Sequence, residues 1–172
     1  LTSLLDRYEQ LHLYVDDAHG MSVDGKHGRG IHLARMPHHP RMVFSTSLNK
    51  AFAAGGGCFV FPTDEMRQLV RLCGAPLTFG GPLQPPMIGA GMASAAIHLS
   101  PEIEILKADL REKIEYLNDL LEARGLPLLQ RNHSPIFFLK TGPLRLAWNI
   151  ATRMKDKHGL YLTVSAYPTV PM

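Results

Sequence analysis

The sequence predicts an α/β fold, and three observations carry that expectation. Short runs rich in β-branched and aromatic residues end at acidic or hydroxyl residues. Between them lie stretches whose apolar residues fall at i, i+3, i+4 and i+7, the spacing of one helix face. The last part of the chain reads strand, helix, strand.

Composition supports a folded chain. Of 172 residues, 45% are apolar and 19% charged, which excludes a disordered tail. With 15 Gly, 13 Pro and only 2 Cys, the collagen-like and disulfide-rich classes are excluded as well. The 18 Lys+Arg against 15 Asp+Glu leave a net charge of +3, scattered and without a like-charge block, so no nucleic-acid partner is expected. No apolar run reaches the roughly 18 residues of a membrane span. The first residues include Asp6, Arg7, Glu9 and His12, which does not suit a signal peptide. Cys58 and Cys73 have no CxxC spacing and read as buried, reduced thiols, so a cytoplasmic setting is expected.

The elements follow in order. Thr2 to about Gln10 reads as a helix, with Leu4, Leu5 and Tyr8 at helical spacing. Leu11 to Val15 alternates like a strand and ends at Asp16. Gly20, Gly25, Gly28 and Gly30 punctuate an irregular loop expected to lack packing of its own. Arg41 to Ser45 is a second strand. Cys58 to Phe61, after the tight turn of Gly55-Gly56-Gly57, is a third, stopped by Pro62. Thr63-Asp64-Glu65 opens a helix with acids in its first turn, and Met66, Leu69, Val70 and Cys73 form its stripe. After the break at Gly80-Gly81-Pro82, Pro86 to His98 is small and apolar, as in a helix buried between other elements. Ser100-Pro101-Glu102 starts a long helix with Ile103, Leu106, Leu110, Ile114, Leu117 and Leu121 on one face, ending at Arg124-Gly125. Pro135 to Leu139 reads as a strand, Pro143 to His158 as a helix capped by Gly159 with Trp148 in its core face, and Tyr161 to Val164 as a last strand.

Two constellations carry candidate chemistry. In Val15-Asp16-Asp17-Ala18-His19-Gly20 a strand leads into acids and a His, at the carboxyl end of a strand where open α/β sheets bind ligands. Turn-capping acids and a surface His would give the same pattern. In Ser45-Thr46-Ser47-Leu48-Asn49-Lys50-Ala51-Phe52 a second strand ends in hydroxyls, then one Lys among small and apolar residues. Desolvation there would lower the Lys pKa and make the amine a nucleophile, whereas an exposed loop Lys would do neither. Together they fit pyridoxal phosphate (PLP), which uses a Lys for its Schiff base and often an acid at its ring nitrogen. His27, His32, His38 and His39 have no acid–His pair at helical i, i+4 spacing and read as loop residues rather than metal ligands.

Val15-Asp16-Asp17-Ala18-His19-Gly20, Gly28-Arg29-Gly30 and Ser47-Leu48-Asn49-Lys50-Ala51-Phe52 resemble the α-oxoamine synthase family. The likeness continues through Gln84-Pro85-Pro86, the long helix and Tyr167-Pro168-Thr169-Val170-Pro171. The family includes 8-amino-7-oxononanoate synthase, glycine C-acetyltransferase, 5-aminolevulinate synthase and serine palmitoyltransferase. The resemblance implies the fold type I, aspartate aminotransferase-like PLP fold and a homodimer. It implies a PLP-dependent acyltransferase that condenses an amino acid with an acyl thioester, on CoA or acyl carrier protein, to an α-oxoamine. An aminotransferase or carbon–carbon lyase of the same fold is the enzymatic alternative, and a catalytically silent subunit the other. By the resemblance, Asp16 pairs with the pyridine nitrogen and Ala18 packs on the ring. His19 bonds the ring's 3-oxygen and takes part in acid–base steps, Ser47 contacts the phosphate, and Lys50 is the Schiff-base lysine.

Departures are also legible. Phe79-Gly80-Gly81-Pro82 stands where many members carry a Tyr-Ser-Thr-Ser-like segment reaching the neighbouring subunit's phosphate. Asn49 and the triple glycine differ from the commoner Gly-Lys-Gly-Phe-Gly. The family's ring-stacking His and phosphate loop would precede Leu1, and its carboxylate-binding Arg would follow Pro171. The expectation is therefore a central-to-late segment of a longer enzyme. It would comprise part of the large PLP-binding domain at 1–100, a bridging helix at 101–125 and part of a small C-terminal domain at 126–172.

Overall fold

A computed structural model of the chain describes residues 2–167 and 169. Pro168, Val170 and Pro171 of the Tyr-Pro-Thr-Val-Pro motif lie outside the described residues. The chain divides into two units, Leu1–Glu112 and Lys113–Met172.

The first unit is built on a three-stranded sheet in the order β1 (Leu13–Asp16), β2 (Met42–Ser47), β3 (Gly57–Val60). β1 and β2 are parallel, with Asp16 opposite Ser45. β2 and β3 are antiparallel, with Ser47 opposite Gly57. Alternation along the strands points Val15, Met42 and Phe44 into a buried cluster, against which Leu13, Leu33 and Met36 pack. Each such side chain contributes about 1.5–3 kcal/mol by leaving water. The N-terminal helix α1 (Thr2–Arg7) is shorter than its apolar spacing suggested. Arg41 holds its end, donating from Nη1 to Tyr8 O at 2.7 Å and from Nη2 to Leu5 O.

A short helix, α2 (Ile31–Arg35), precedes β2. Next comes α3 (Asp64–Cys73), where Thr63 caps the helix by accepting from Met66 N at 3.2 Å. Then follow α4 (Ala75–Phe79) and α5 (Pro85–His98). The long α6 (Glu102–Ala123) begins in the first unit and ends in the second. Neither α2 nor α4 was foreseen, each being five residues and too short to show a periodic stripe.

The second unit holds the end of α6, an irregular stretch and α7 (Leu144–His158), whose cap Gly159 donates its N–H to Lys155 O at 3.0 Å. Arg131 gathers Glu115, Asp119 and Glu122 at 2.5, 2.8 and 3.0 Å. Asn118, fully buried, donates to Asn132 O at 2.8 Å.

Five expectations are corrected. Pro135 to Leu139 makes only the single bridge Leu128–Leu139, and Tyr161 to Val164 forms no strand, because β-propensity without a laddered neighbour leaves an extended segment. α5 is not enclosed: Met92 is 71% exposed, and Ser94 and His98 are the helix's buried residues. Cys58 and Cys73 are exposed, since β3 has no buried residue and neither has α3. Trp148 lies 58% exposed, while Ala151 is the buried position of α7.

Candidate active site

Because β1 and β2 run parallel, their carboxyl ends lie at one edge of the sheet, and every candidate residue sits at that edge. Asp17 N continues the ladder to Ser45 O at 2.9 Å. Beyond it the chain turns, with Gly20 N and Met21 N both donating to Asp17 O at 3.0 Å. Thr46 Oγ1 donates to Asp17 O at 3.4 Å, tying the turn to β2. On this turn His19 is exposed, and its Nε2 lies 3.0 Å from Lys50 Nζ. Residues far apart in sequence are thus brought into hydrogen-bond contact by strand pairing.

Lys50 rides on a loop closed on itself. Leu48 N donates to Gly56 O at 2.9 Å, Ala54 N to Leu48 O at 2.7 Å, and Ala53 N to Lys50 O at 2.9 Å. The desolvation expected at Lys50 is absent, because the small residues around it leave the side chain exposed. Its chemistry therefore rests on the contact with His19.

Asp16 ends β1, is exposed, and accepts from Ala18 N at 2.9 Å in a local turn. Ser47 ends β2, and its hydroxyl donates to Asn49 Oδ1. Asn49, noted in the sequence only as a departure, is therefore the residue that orients Ser47. The structure brings Lys50 and His19 into direct contact; Asp16 and Ser47 end the two neighbouring strands, and Ala18 precedes His19 on the turn.

Sequence reasoning missed the support beneath this edge. Asp17, 4% exposed, accepts from His32 N at 3.1 Å through Oδ2, and its Oδ1 lies 3.2 Å from His32 Nδ1. Its carboxylate fills the space that side chains at Gly20 and Gly30 would occupy: a Cβ on Gly20 would sit 2.6 Å from Asp17 Cγ. Gly30 of the Gly-Arg-Gly stretch thus has a steric reason. The 20–30 loop is fastened to other elements. Lys107 Nζ donates to Gly25 O at 2.7 Å, His27 Nδ1 lies 3.0 Å from His98 O, and His98 Nε2 lies 2.7 Å from Ser22 Oγ. His27 and His32 are thereby engaged in the fold, as is His39, whose Nδ1 accepts from Arg41 N at 3.1 Å. Among the described residues no group of three or more acids, histidines or cysteines could hold a metal.

With a lysine, an imidazole and a carboxylate at the carboxyl edge of an α/β sheet, the site has the make-up of a PLP-dependent transferase. The family model for aminotransferase class I and II matches residues 1–172, and the chain belongs to that family. The family is PLP-dependent. The matches include 5-aminolevulinate synthase, serine palmitoyltransferase and 8-amino-7-oxononanoate synthase, α-oxoamine synthases as the motifs indicated. The chain is 28% identical over 158 residues to the erythroid-specific mitochondrial 5-aminolevulinate synthase of Opsanus tau, covering 92% of this chain and 27% of that protein. The human form of the same enzyme gives 28% over 158 residues, with the same coverage of 92% and 27%. Among solved structures, serine palmitoyltransferase from S. paucimobilis superposes with a TM-score of 0.82 at 21% identity, over 94% of this chain and 41% of that one. The 8-amino-7-oxononanoate synthase of Francisella tularensis gives 0.71 at 23%, over 98% and 57%. The likeness to these structures shows the fold, the PLP-dependent transferase fold type I. The chain spans about a quarter of the length of the curated relatives it matches. No helix among the described residues is long and apolar enough to cross a membrane.

Proposed function

We propose that this chain carries the lysine-bearing part of a PLP-dependent acyltransferase that condenses an amino acid with an acyl thioester to an α-oxoamine. The observation that supports it is the 3.0 Å contact between Lys50 Nζ and His19 Nε2, at the sheet edge where Asp16 also ends its strand.

The donor set fits the cofactor: an exposed primary amine, an exposed carboxylate at a strand end and a hydroxyl at the end of the neighbouring strand. Bound there, PLP supplies an electron sink for a carbanion at the amino acid's α-carbon. Asp16 supplies the negative charge that keeps a ring nitrogen protonated. Ser47, whose hydroxyl donates to Asn49 Oδ1, would turn that donor to a phosphate oxygen when the cofactor is bound. Lys50 Nζ is the attachment amine and the group that moves a proton at the α-carbon. At 3.0 Å, His19 Nε2 can pass a proton to or from Lys50 whichever of the two holds it, and it can hold an oxygen bonded at the same place. Ala18 offers a small, apolar neighbour to a flat ring. The acyl donor and a homodimeric assembly belong to this proposal through the relatives' chemistry.

The test is product analysis with the full chain, PLP, an amino acid and a panel of acyl thioesters. Release of free thiol with carbon dioxide supports the acyltransferase. Pyridoxamine phosphate formed without thiol release would mean an aminotransferase instead.

A further inference from the structure

A buried histidine outside the predicted site touches both segments that carry the Lys50–His19 pair. His98, near the end of α5, is 7% exposed. Its Nδ1 lies 2.8 Å from the carbonyl oxygen of Ser94. A carbonyl can only accept, so Nδ1 carries the hydrogen and Nε2 is free to accept. At 2.7 Å from Nε2 is the hydroxyl of Ser22, itself 8% exposed, three residues beyond His19. Ser22 N in turn donates to Gly28 O at 2.7 Å. Gly28 leaves room for the ring: a Cβ there would lie 2.8 Å from His98 Cδ2.

On its other side the same ring packs on Phe52, centroid to centroid at 4.7 Å. Phe52 lies two residues beyond Lys50. Its carbonyl oxygen accepts from Ser94 Oγ at 2.5 Å, and that hydroxyl is 3.4 Å from His98 Nδ1. One imidazole therefore reaches the His19 segment through Ser22 and the Lys50 segment through Phe52 and Ser94. All of these groups are buried, where hydrogen bonds hold firmly and an unmet polar group is costly. By contrast, Lys50 and His19 are both exposed, so their own contact is the weaker one.

We infer that His98 is a positioning residue that sets the Lys50–His19 distance by fixing the two loops against α5. This rests on the proposed function only in assigning a catalytic use to the pair; the loop coupling itself is a property of the chain without cofactor. The alternative is that His98 is simply part of the packing of α5.

The experiment uses the full chain in two parts. In the first, cofactor-free protein is followed by hydrogen exchange, comparing wild type with His98→Leu and His98→Gln. His98→Leu is expected to raise exchange at least about tenfold in both the 20–30 and the 48–56 segments, leaving 64–73 as in wild type. His98→Gln, whose amide reaches toward Ser22, recovers protection in 20–30. Unchanged exchange in either loop, or a uniform rise that includes 64–73, overturns the inference. If His98→Leu does not fold, Ser94→Ala replaces it: loosening of 48–56 supports the inference and wild-type exchange there overturns it. In the second part, the PLP-loaded enzyme is assayed for thiol release in a double-mutant cycle with His19→Asn. Acting through the pair, His98→Leu lowers kcat about tenfold or more in wild type, and less than about twofold once His19 is gone. An equal loss in both backgrounds overturns the positioning role. Loops that loosen as expected in a chain that never takes up PLP at Lys50 would uphold the coupling and refute the proposed function.

Discussion

Gly30→Ala is the sharpest probe of how the turn carrying His19 is held. Gly30 has φ 103° and ψ 164°, a region that essentially only glycine enters, and forcing another residue there costs about 1–3 kcal/mol. The new methyl group would also run into Asp17, within 3.2 Å of Cγ and closer still to Oδ2. Asp17 is 4% exposed and cannot swing into water, so it must give up the hydrogen bond from His32 N. Loss of such a buried hydrogen bond costs about 1–3 kcal/mol. Together the two effects predict a destabilisation of about 2–6 kcal/mol, read as a lower urea midpoint at unchanged slope. Because part of the cost is the collision, Gly30→Ala combined with Asp17→Ala should cost at least about 1 kcal/mol less than the sum of the single changes. A shift within about 0.5 kcal/mol for Gly30→Ala, or strict additivity in the pair, would refute the reasoning.

Two further predictions concern the ties around this core. Lys107→Met removes the donor to Gly25 O and is expected to speed hydrogen exchange across the 20–30 loop, leaving α3 unaffected; exchange unchanged in the loop would show that Lys107 does not hold it. In the second unit, the hydrogen bond from Arg131, then that from His133, holds the Glu115 carboxyl below its ordinary value of 4.5. A lowered folded pKa means the native state binds fewer protons than the unfolded chain, so this contribution is full above 4.5 and fades as pH falls through the folded value. Thermal melting of wild type should therefore fall more steeply on acidification below 4.5 than that of Arg131→Ala, and parallel curves would contradict the assignment.

What the sequence revealed depended on whether the signal was local. The first two strands were legible from their β-branched and aromatic runs, although the second, read as Arg41 to Ser45, extends to Ser47, and their ends placed the candidate residues at one edge. Thr63, Asp64 and Glu65 announced α3, and the apolar repeat from Ile103 to Leu121 announced α6. Burial was less legible. Met66, Leu69, Val70 and Cys73 do fall on one helix face, yet Leu69 is 61% exposed, since periodicity says which side is apolar and not whether anything covers it. Lys50 illustrates the same limit, its small neighbours suggesting enclosure where the side chain is exposed. Ser22, Ser94 and His98 were invisible as a group because their bonds cross between the 20–30 loop, the Lys50 loop and α5, and Asp17 because its bond comes from His32 of α2. Gly20, Gly28 and Gly30 were the one outward sign, since each makes room for a side chain from that hidden set.

The central claim is that Lys50, beside His19, is the amine that holds the cofactor. The most direct measurement is to load the full chain with PLP, reduce it with labelled borohydride and map the label by peptide mass spectrometry. The account predicts a visible absorbance band that disappears on reduction, label on Lys50 alone, and neither band nor label in Lys50→Ala. Label on another lysine, or a band that persists in Lys50→Ala, would contradict it.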